Sequence, residues 1–420
     1  MIKVHETVRE DGFRIISARI EGSKKVRLTL MAPIGSAFDP VDPVDKRGLY
    51  HYFEHMAFKG TETRTVEQLN SFKRRNVLYW NASTDRLHTQ YEGEAVSHKF
   101  VYLCELLCDM FFRSVFPQEE LDREKEVILN EIARDKDDDG LTVYNCLREQ
   151  LYAQNPLRIF GVGTPEGVAS ISRDDLLVAH RKWYVPAYTT AFVVGDIDHA
   201  VAVDRLTDLV PIGNEVSPLT EPEWDDEYNS TPLQTEVVVE RKDREKGFVL
   251  MGTKIAFNSN WRENQVSMLH DYMLVRGSSS RLWNEVREKR GFAYSTSGSS
   301  VESTKLGCYF TALVETMPGR IAEVRDLMWE CLSTPITETG TLEEFREWLY
   351  DWYNIGYEVD LSDWTGRIQR YFVKGRLFDV ENSFERDMKH LKSITIGEVE
   401  EMRQSIVRPD HMVTVVLRPA

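Results

Sequence analysis

Long hydrophobic runs are missing from this 420-residue sequence. No window approaches the roughly 18 consecutive apolar residues that a membrane-spanning helix needs. The opening Met1-Ile2-Lys3-Val4-His5-Glu6-Thr7 holds no signal-peptide core, so no membrane partner is expected and the cytoplasm is the default compartment. Cysteine is equally sparse. Five thiols, Cys104, Cys108, Cys146, Cys308 and Cys331, are too few and too scattered for a disulfide framework. Cys104 and Cys108 lie in the apolar run Val101 to Phe112 and read as buried thiols. Positive charge is in deficit, with 52 Lys and Arg against 68 Asp and Glu and a net charge of −16. Such a surface repels phosphate backbones, which excludes nucleic acid as the expected partner and leaves a basic or extended peptide as a candidate. What is present is a globular composition, 42% hydrophobic and 29% charged, in a chain long enough for roughly two or three domains.

The sequence echoes itself. Ser170-Ile171-Ser172 opens a stretch that runs through Tyr184-Val185-Pro186 to the strand-like Thr190-Ala191-Phe192-Val193-Val194. Ser393-Ile394-Thr395 opens another that runs through Val407-Arg408-Pro409 to Val413-Thr414-Val415-Val416, and serines and prolines alike recur after 223 residues. Glu119-Glu120-Leu121 pairs with Glu343-Glu344-Phe345, each expected to open a helix. The alternating Val26-Arg27-Leu28-Thr29-Leu30 pairs with Phe248-Val249-Leu250-Met251 as a starting strand. These echoes imply a duplicated domain. The segment with Ser217-Pro218, Glu221-Pro222 and Ser230-Thr231-Pro232 reads as a linker. The expected organisation is a first half over 1–212, a linker over 213–233 and a second half over 234–420. A half-buried, alternating strand at residues 24–30 suits an α+β class, twice: a mostly antiparallel sheet with helices packed on one face.

Chemistry concentrates in Gly48-Leu49-Tyr50-His51-Tyr52-Phe53-Glu54-His55-Met56-Ala57-Phe58-Lys59-Gly60. On a helix, His51, Glu54 and His55 stand at i, i+3 and i+4 and share one face. Two imidazoles one turn apart can grip a tetrahedral cation, and zinc fits best, because catalytic zinc takes three protein ligands and leaves a fourth position for water. A nearby carboxylate that does not bind the metal can take that water's proton. The third ligand should be an acid on another element. The expected helix from Glu119 to Asp135 offers Glu120, Glu124, Glu126 and Glu131; Glu131 follows apolar Val127-Ile128-Leu129, and Glu124 lies two turns before it on the same face.

His51-x-x-Glu54-His55 with Glu131 76 positions after His55 resembles the inverted zinc motif of the pitrilysin, insulin-degrading enzyme and mitochondrial processing peptidase family. His55-Met56-Ala57-Phe58-Lys59-Gly60-Thr61, Pro165-Glu166-Gly167-Val168 with Trp183-Tyr184-Val185-Pro186, and the second-half run Ser280 to Tyr294 are similar to further stretches of that family. The chain is close in size to its short bacterial branch. The resemblance implies one zinc per chain bound by His51, His55 and Glu131, with Glu54 as general base and Glu124 as an acid behind the site. It implies that Asn81 and Ala82 lie on an edge strand that pairs with the substrate backbone, and that Arg287 and Tyr294 in the second half stabilise the oxyanion.

The sequence departs from the family pattern in three respects. Asn76-Val77-Leu78-Tyr79-Trp80 stands where glycines are usual before the edge strand, and Leu87 where a Glu is common. Leu141 and Asn145 replace the acids that read a presequence arginine, which disfavours presequence processing. Met268, Asp271 and Tyr272 occupy the metal-motif register of the second half, which should hold no zinc. The expected function is a zinc-dependent metalloendopeptidase that hydrolyses peptides or unfolded segments enclosed in a chamber, working as a homodimer or as a heterodimer with a related chain. The alternative is a non-catalytic or partner-requiring subunit of a heterodimeric peptidase of the same family.

Overall fold

The computed structural model describes residues 3–41, 43–159, 161–213, 224–256, 261–303, 306–358, 361–373 and 383–420. Residues 214–223 of the expected linker lie outside the described residues. The chain divides into two compact units. The first comprises residues 1–134, 160–221 and 356–381, and the second 135–159, 222–355 and 382–420.

In the first unit β1 (Val4–Val8), β2 (Arg14–Arg19), β3 (Lys25–Ala32), β4 (Tyr79–Thr84), β5 (Thr89–Val96) and β6 (Thr190–Gly195) form a sheet in the order β1-β2-β6-β3-β5-β4. In the second, β7 (Glu236–Arg241), β8 (Gly247–Ile255), β9 (Ala293–Ser303), β10 (Gly307–Thr316) and β11 (Val413–Pro419) are ordered β7-β11-β8-β10-β9. Each sheet is antiparallel except for one pair, β2 with β6 and β7 with β11. Without β1, the first order reproduces the second strand for strand, so the topology itself carries the duplication.

The helices repeat as well. The first half contributes α1 (Leu49–Met56), α2 (Val66–Asn76), α3 (Phe100–Phe112), α4 (Gln118–Asp137), α5 (Asp139–Leu151), α6 (Pro165–Ser170), α7 (Arg173–Trp183) and α8 (His199–Leu209). The second contributes α9 (Trp261–Leu274), α10 (Arg281–Trp283, prolonged by a π-helical turn to Glu288), α11 (Ile321–Ser333), α12 (Thr339–Glu358), α13 (Leu361–Val373), α14 (Ser383–Ser393) and α15 (Ile396–Ile406). The Ser172 and Thr395 echoes are capping boxes: each hydroxyl accepts an amide three residues on, from Asp175 and Glu398, whose carboxylates reach back to the cap. The Glu343 echo lies inside α12 and not at its start, because nothing in Gly340-Thr341-Leu342 breaks the helix and buried Leu342 holds that turn down.

The expected half-burial of the starting strand is corrected: β3 is buried from Val26 through Ala32. Ala191 and Val193 of β6 face the main core with α3, so alternation turns Phe192 to the opposite face. There its ring meets Phe372 of α13 at 5.5 Å, so α13 roofs the side that would otherwise face water. In the second unit α5 roofs the matching face, packed on β8 and β11. Leu147 of α5 lies so close to Gly252 that a Cβ there would stand 2.5 Å from its side chain. Thus α5 and α13, each following the long helix of its own half, belong to the unit built mainly from the other half.

Candidate metal centre

The helix α1 begins without a cap of its own. Gly48 precedes it at φ 99° and contributes no side chain, and a Cβ there would press on the Val162 carbonyl at 2.9 Å. The cap comes from nine residues upstream, where Asp39 accepts the Gly48 amide at 2.7 Å and the Tyr50 amide at 3.2 Å. Loss of water around the Asp39 carboxyl pushes its pKa up to about 7, against the pull of those amides. Tyr52, Phe53 and Met56 bury one side of α1, and the Tyr52 hydroxyl donates to the Leu121 carbonyl of α4. That contact ties the two helices of the site together, and buried Ile128 and Ile132 anchor α4 around Glu131.

The opposite side of α1 carries His51, Glu54 and His55. His51 Nε2 and His55 Nε2 lie 3.9 and 3.7 Å from Glu131 Oε2, and the two rings meet edge-on at 4.7 Å. One donor atom from each of the three residues falls within 4.8 Å of the others, the one such group of three among the described residues. Tetrahedral zinc with bonds of about 2.0–2.1 Å places its donors about 3.4 Å apart, so these residues fit the ion with a small inward shift. His55 Nδ1 pairs with Glu124 Oε2 at 3.1 Å, while Lys59 holds the other Glu124 oxygen at 2.5 Å. A carboxylate on Nδ1 fixes the ring so that Nε2 is the free donor.

The charges suit these roles. Loss of water, reinforced by the neighbouring His55, lowers the His51 pKa to about 4, which keeps its lone pair available at neutral pH. Burial also works against a charged His55, but the Glu124 bond and the fields of Glu54, Glu124 and Glu131 outweigh it and raise its pKa. Burial raises Glu124 too, yet His55 and Lys59 hold it below the usual carboxylate range. Glu54 is raised, first by burial and further by Glu131, against His55 and a 3.2 Å hydrogen bond from the Thr84 hydroxyl.

Thr84 lies on β4, which pairs with β5 on one side and ends the sheet on the other. The expected edge strand is therefore present: Asn81 pairs with Glu92, Ala82 with Tyr91, and the outer edge of β4 pairs with no strand among the described residues. Arg287 and Tyr294 belong to the second unit, where they meet each other. The guanidinium donates to the Tyr294 carbonyl at 2.9 Å and stacks 4.2 Å from the Trp283 ring centroid, while the Tyr294 side chain is half exposed. Asp39, Lys59 and Thr84 escaped the sequence reading. A glycine in place of a capping residue before α1, and a lysine one turn after His55 on the same face, are the signals that point to the first two.

The family model described as Insulinase (Peptidase family M16) matches residues 14–162, and that of the Peptidase M16 inactive domain matches 170–347. A protein named an uncharacterized zinc protease from Mycobacterium leprae is 24% identical over 414 residues, covering 96% of this chain and 89% of its own. One so named from Bacillus subtilis is 23% identical over 411 residues, covering 97% and 96%. The crystal structure of a protease from Helicobacter pylori has a TM-score of 0.88 at 16% identity and covers both chains completely. That of a peptidase M16 inactive domain from Pseudomonas fluorescens has 0.85 at 17%, covering 99% and 98%. The structural likenesses speak for the fold, and the two sequence models together span most of the chain, which belongs to the insulinase family, peptidase family M16.

Proposed function

We propose that this chain is a zinc-dependent endopeptidase that hydrolyses peptides or unfolded segments. The observation that carries the reading is the convergence of His51, His55 and Glu131 beside a carboxyl, Glu54, that stays outside the donor set. Zinc held by those three residues would supply a Lewis acid at the scissile carbonyl and lower the pKa of water toward neutrality. Glu54, its pKa raised toward the working range, takes the proton of the attacking water and returns it to the leaving amine. The Thr84 hydroxyl aims that carboxylate and links it to β4, whose outer edge, paired with no strand among the described residues, accepts an extended substrate through backbone hydrogen bonds alone. Arg287 and Tyr294 are proposed as donors to the developing oxyanion, and a second copy or a related chain as the partner.

The reading is tested by metal analysis of the purified chain together with hydrolysis of a quenched fluorescent peptide, before and after chelation. Stoichiometric zinc and chelator-sensitive turnover support it. Zinc without turnover, in the chain alone and with every related chain added, supports the non-catalytic alternative. Turnover restored by mixing Glu54→Gln chains with Tyr294→Phe chains supports an identical partner.

A further inference from the structure

Side chains along β4 alternate between two faces of the sheet. Tyr79, Asn81 and Ser83 point to the face that carries Glu92, Glu94 and Arg27: Tyr79 donates to Glu92 at 3.1 Å and Ser83 bonds Gln90 at 3.1 Å. The acids there are already committed, since Arg27 bridges Glu92 and Glu94, the latter at 2.7 Å. Trp80, Ala82 and Thr84 point to the other face, toward α1 and Glu54. Trp80 is half-buried, edge-on to Phe58 at 5.1 Å, with the Lys73 ammonium of α2 5.1 Å from its ring centroid. No carboxylate of the described residues pairs with Lys73 or with the exposed Arg74 beside it. In a chain with 16 more acidic than basic groups, a cation that pairs with no carboxylate of the described residues yet lies against a ring of the edge strand stands out.

Resting on the peptidase reading, we infer that Trp80 and Lys73 form a subsite that selects acidic side chains on the substrate. A peptide added to β4 presents every second side chain to the Trp80 face. The one opposite Trp80 stands four residues, about 13 Å, from the one opposite Thr84 and Glu54. Antiparallel addition, the more stable pairing, puts it on the C-terminal side of the scissile bond. There the aromatic face covers the stem of the side chain while Lys73 meets its carboxylate.

The test uses Glu54→Gln protein, loaded with zinc, and fluorescence anisotropy of two extended peptides that differ only in carrying Asp or Lys at alternate positions. The expected result is binding of the Asp peptide tighter by about threefold to tenfold, shrinking as salt rises. Lys73→Glu in the same background should invert the order, and Trp80→Ala should weaken both peptides. Equal affinity for the two peptides, or an order indifferent to Lys73→Glu, overturns the subsite and leaves the peptidase reading standing. Failure of both peptides to bind contradicts the peptide-binding reading itself, and the subsite falls with it.

Discussion

The helices α1 and α9 take the same place in the repeated order of elements, between the starting strand and the edge strand of each sheet. In both, one acid reaches that edge strand. Glu54 accepts the hydroxyl of Thr84 of β4 at 3.2 Å. Asp271 accepts the Ser300 amide of β9 at 2.6 Å and the Ser300 hydroxyl at 3.1 Å, and meets His270 Nδ1 at 3.1 Å. The remaining motif positions differ in kind. His51 and His55 point donors at Glu131, whereas Met268 packs against the core and Tyr272 packs on Phe345 and Trp348. The same scaffold position thus carries a carboxyl set beside His51, His55 and Glu131 in the first unit, and one bonded to both the amide and the hydroxyl of an edge-strand serine in the second.

Breaking each acid should expose that contrast. Glu54→Gln keeps size and hydrogen bonding but cannot accept a proton, so turnover should fall by about a hundredfold or more while zinc stays bound. Activity near wild type would mean another base. Asp271→Ala should leave metal content and turnover of the folded protein unchanged, yet cost about 1–3 kcal/mol of stability, because it strands polar groups in a buried setting. Chemical denaturation checks that figure, and a loss of zinc would break the comparison.

A smaller effect concerns the cap. Asp39→Ala removes the acceptor for the first amides of α1 and should cost about 1 kcal/mol, while weakening zinc in a chelator competition. An unchanged zinc affinity would mean that α1 needs no outside cap to hold its donors.

The smallest effect is the acid response of the second unit. Glu398, bonded to Arg262 and to the start of α15, and Glu400, bonded to Arg403, both have pKa values lowered to about 2. Both folded values lie below the unfolded one of about 4.3, so their stabilisation is complete above that pH and drains away as pH falls toward 2. Glu398→Gln should flatten part of the melting-temperature slope in that window and leave it unaltered above it. A difference confined to higher pH would contradict the assignment.

Much of this was legible beforehand where the signal is local. Capping residues, a proline and an apolar strand at a fixed offset announced the duplication, and one helical turn sufficed to group His51, Glu54 and His55. Glu131 was less accessible, since α4 is rich in acids along its length and only the family pattern singled it out. The exchange of α5 and α13 left no local mark, because an amphipathic helix reads alike whichever sheet it covers. It shows only indirectly, in the uninterrupted burial of β3 and in a glycine, Gly252, that clears room for Leu147. Asp39 stayed hidden for the same reason: its partners are backbone amides nine and eleven residues away.

The most direct test is zinc stoichiometry, measured by elemental analysis on wild type, His51→Ala, His55→Ala, Glu131→Gln and Asp271→Asn proteins that all remain folded by circular dichroism. One zinc per chain is predicted in the wild type and in Asp271→Asn, with loss of zinc in the other three, since two protein ligands seldom hold the ion against buffer. Full zinc in the His51, His55 or Glu131 variants, or none in the wild type, would contradict the account.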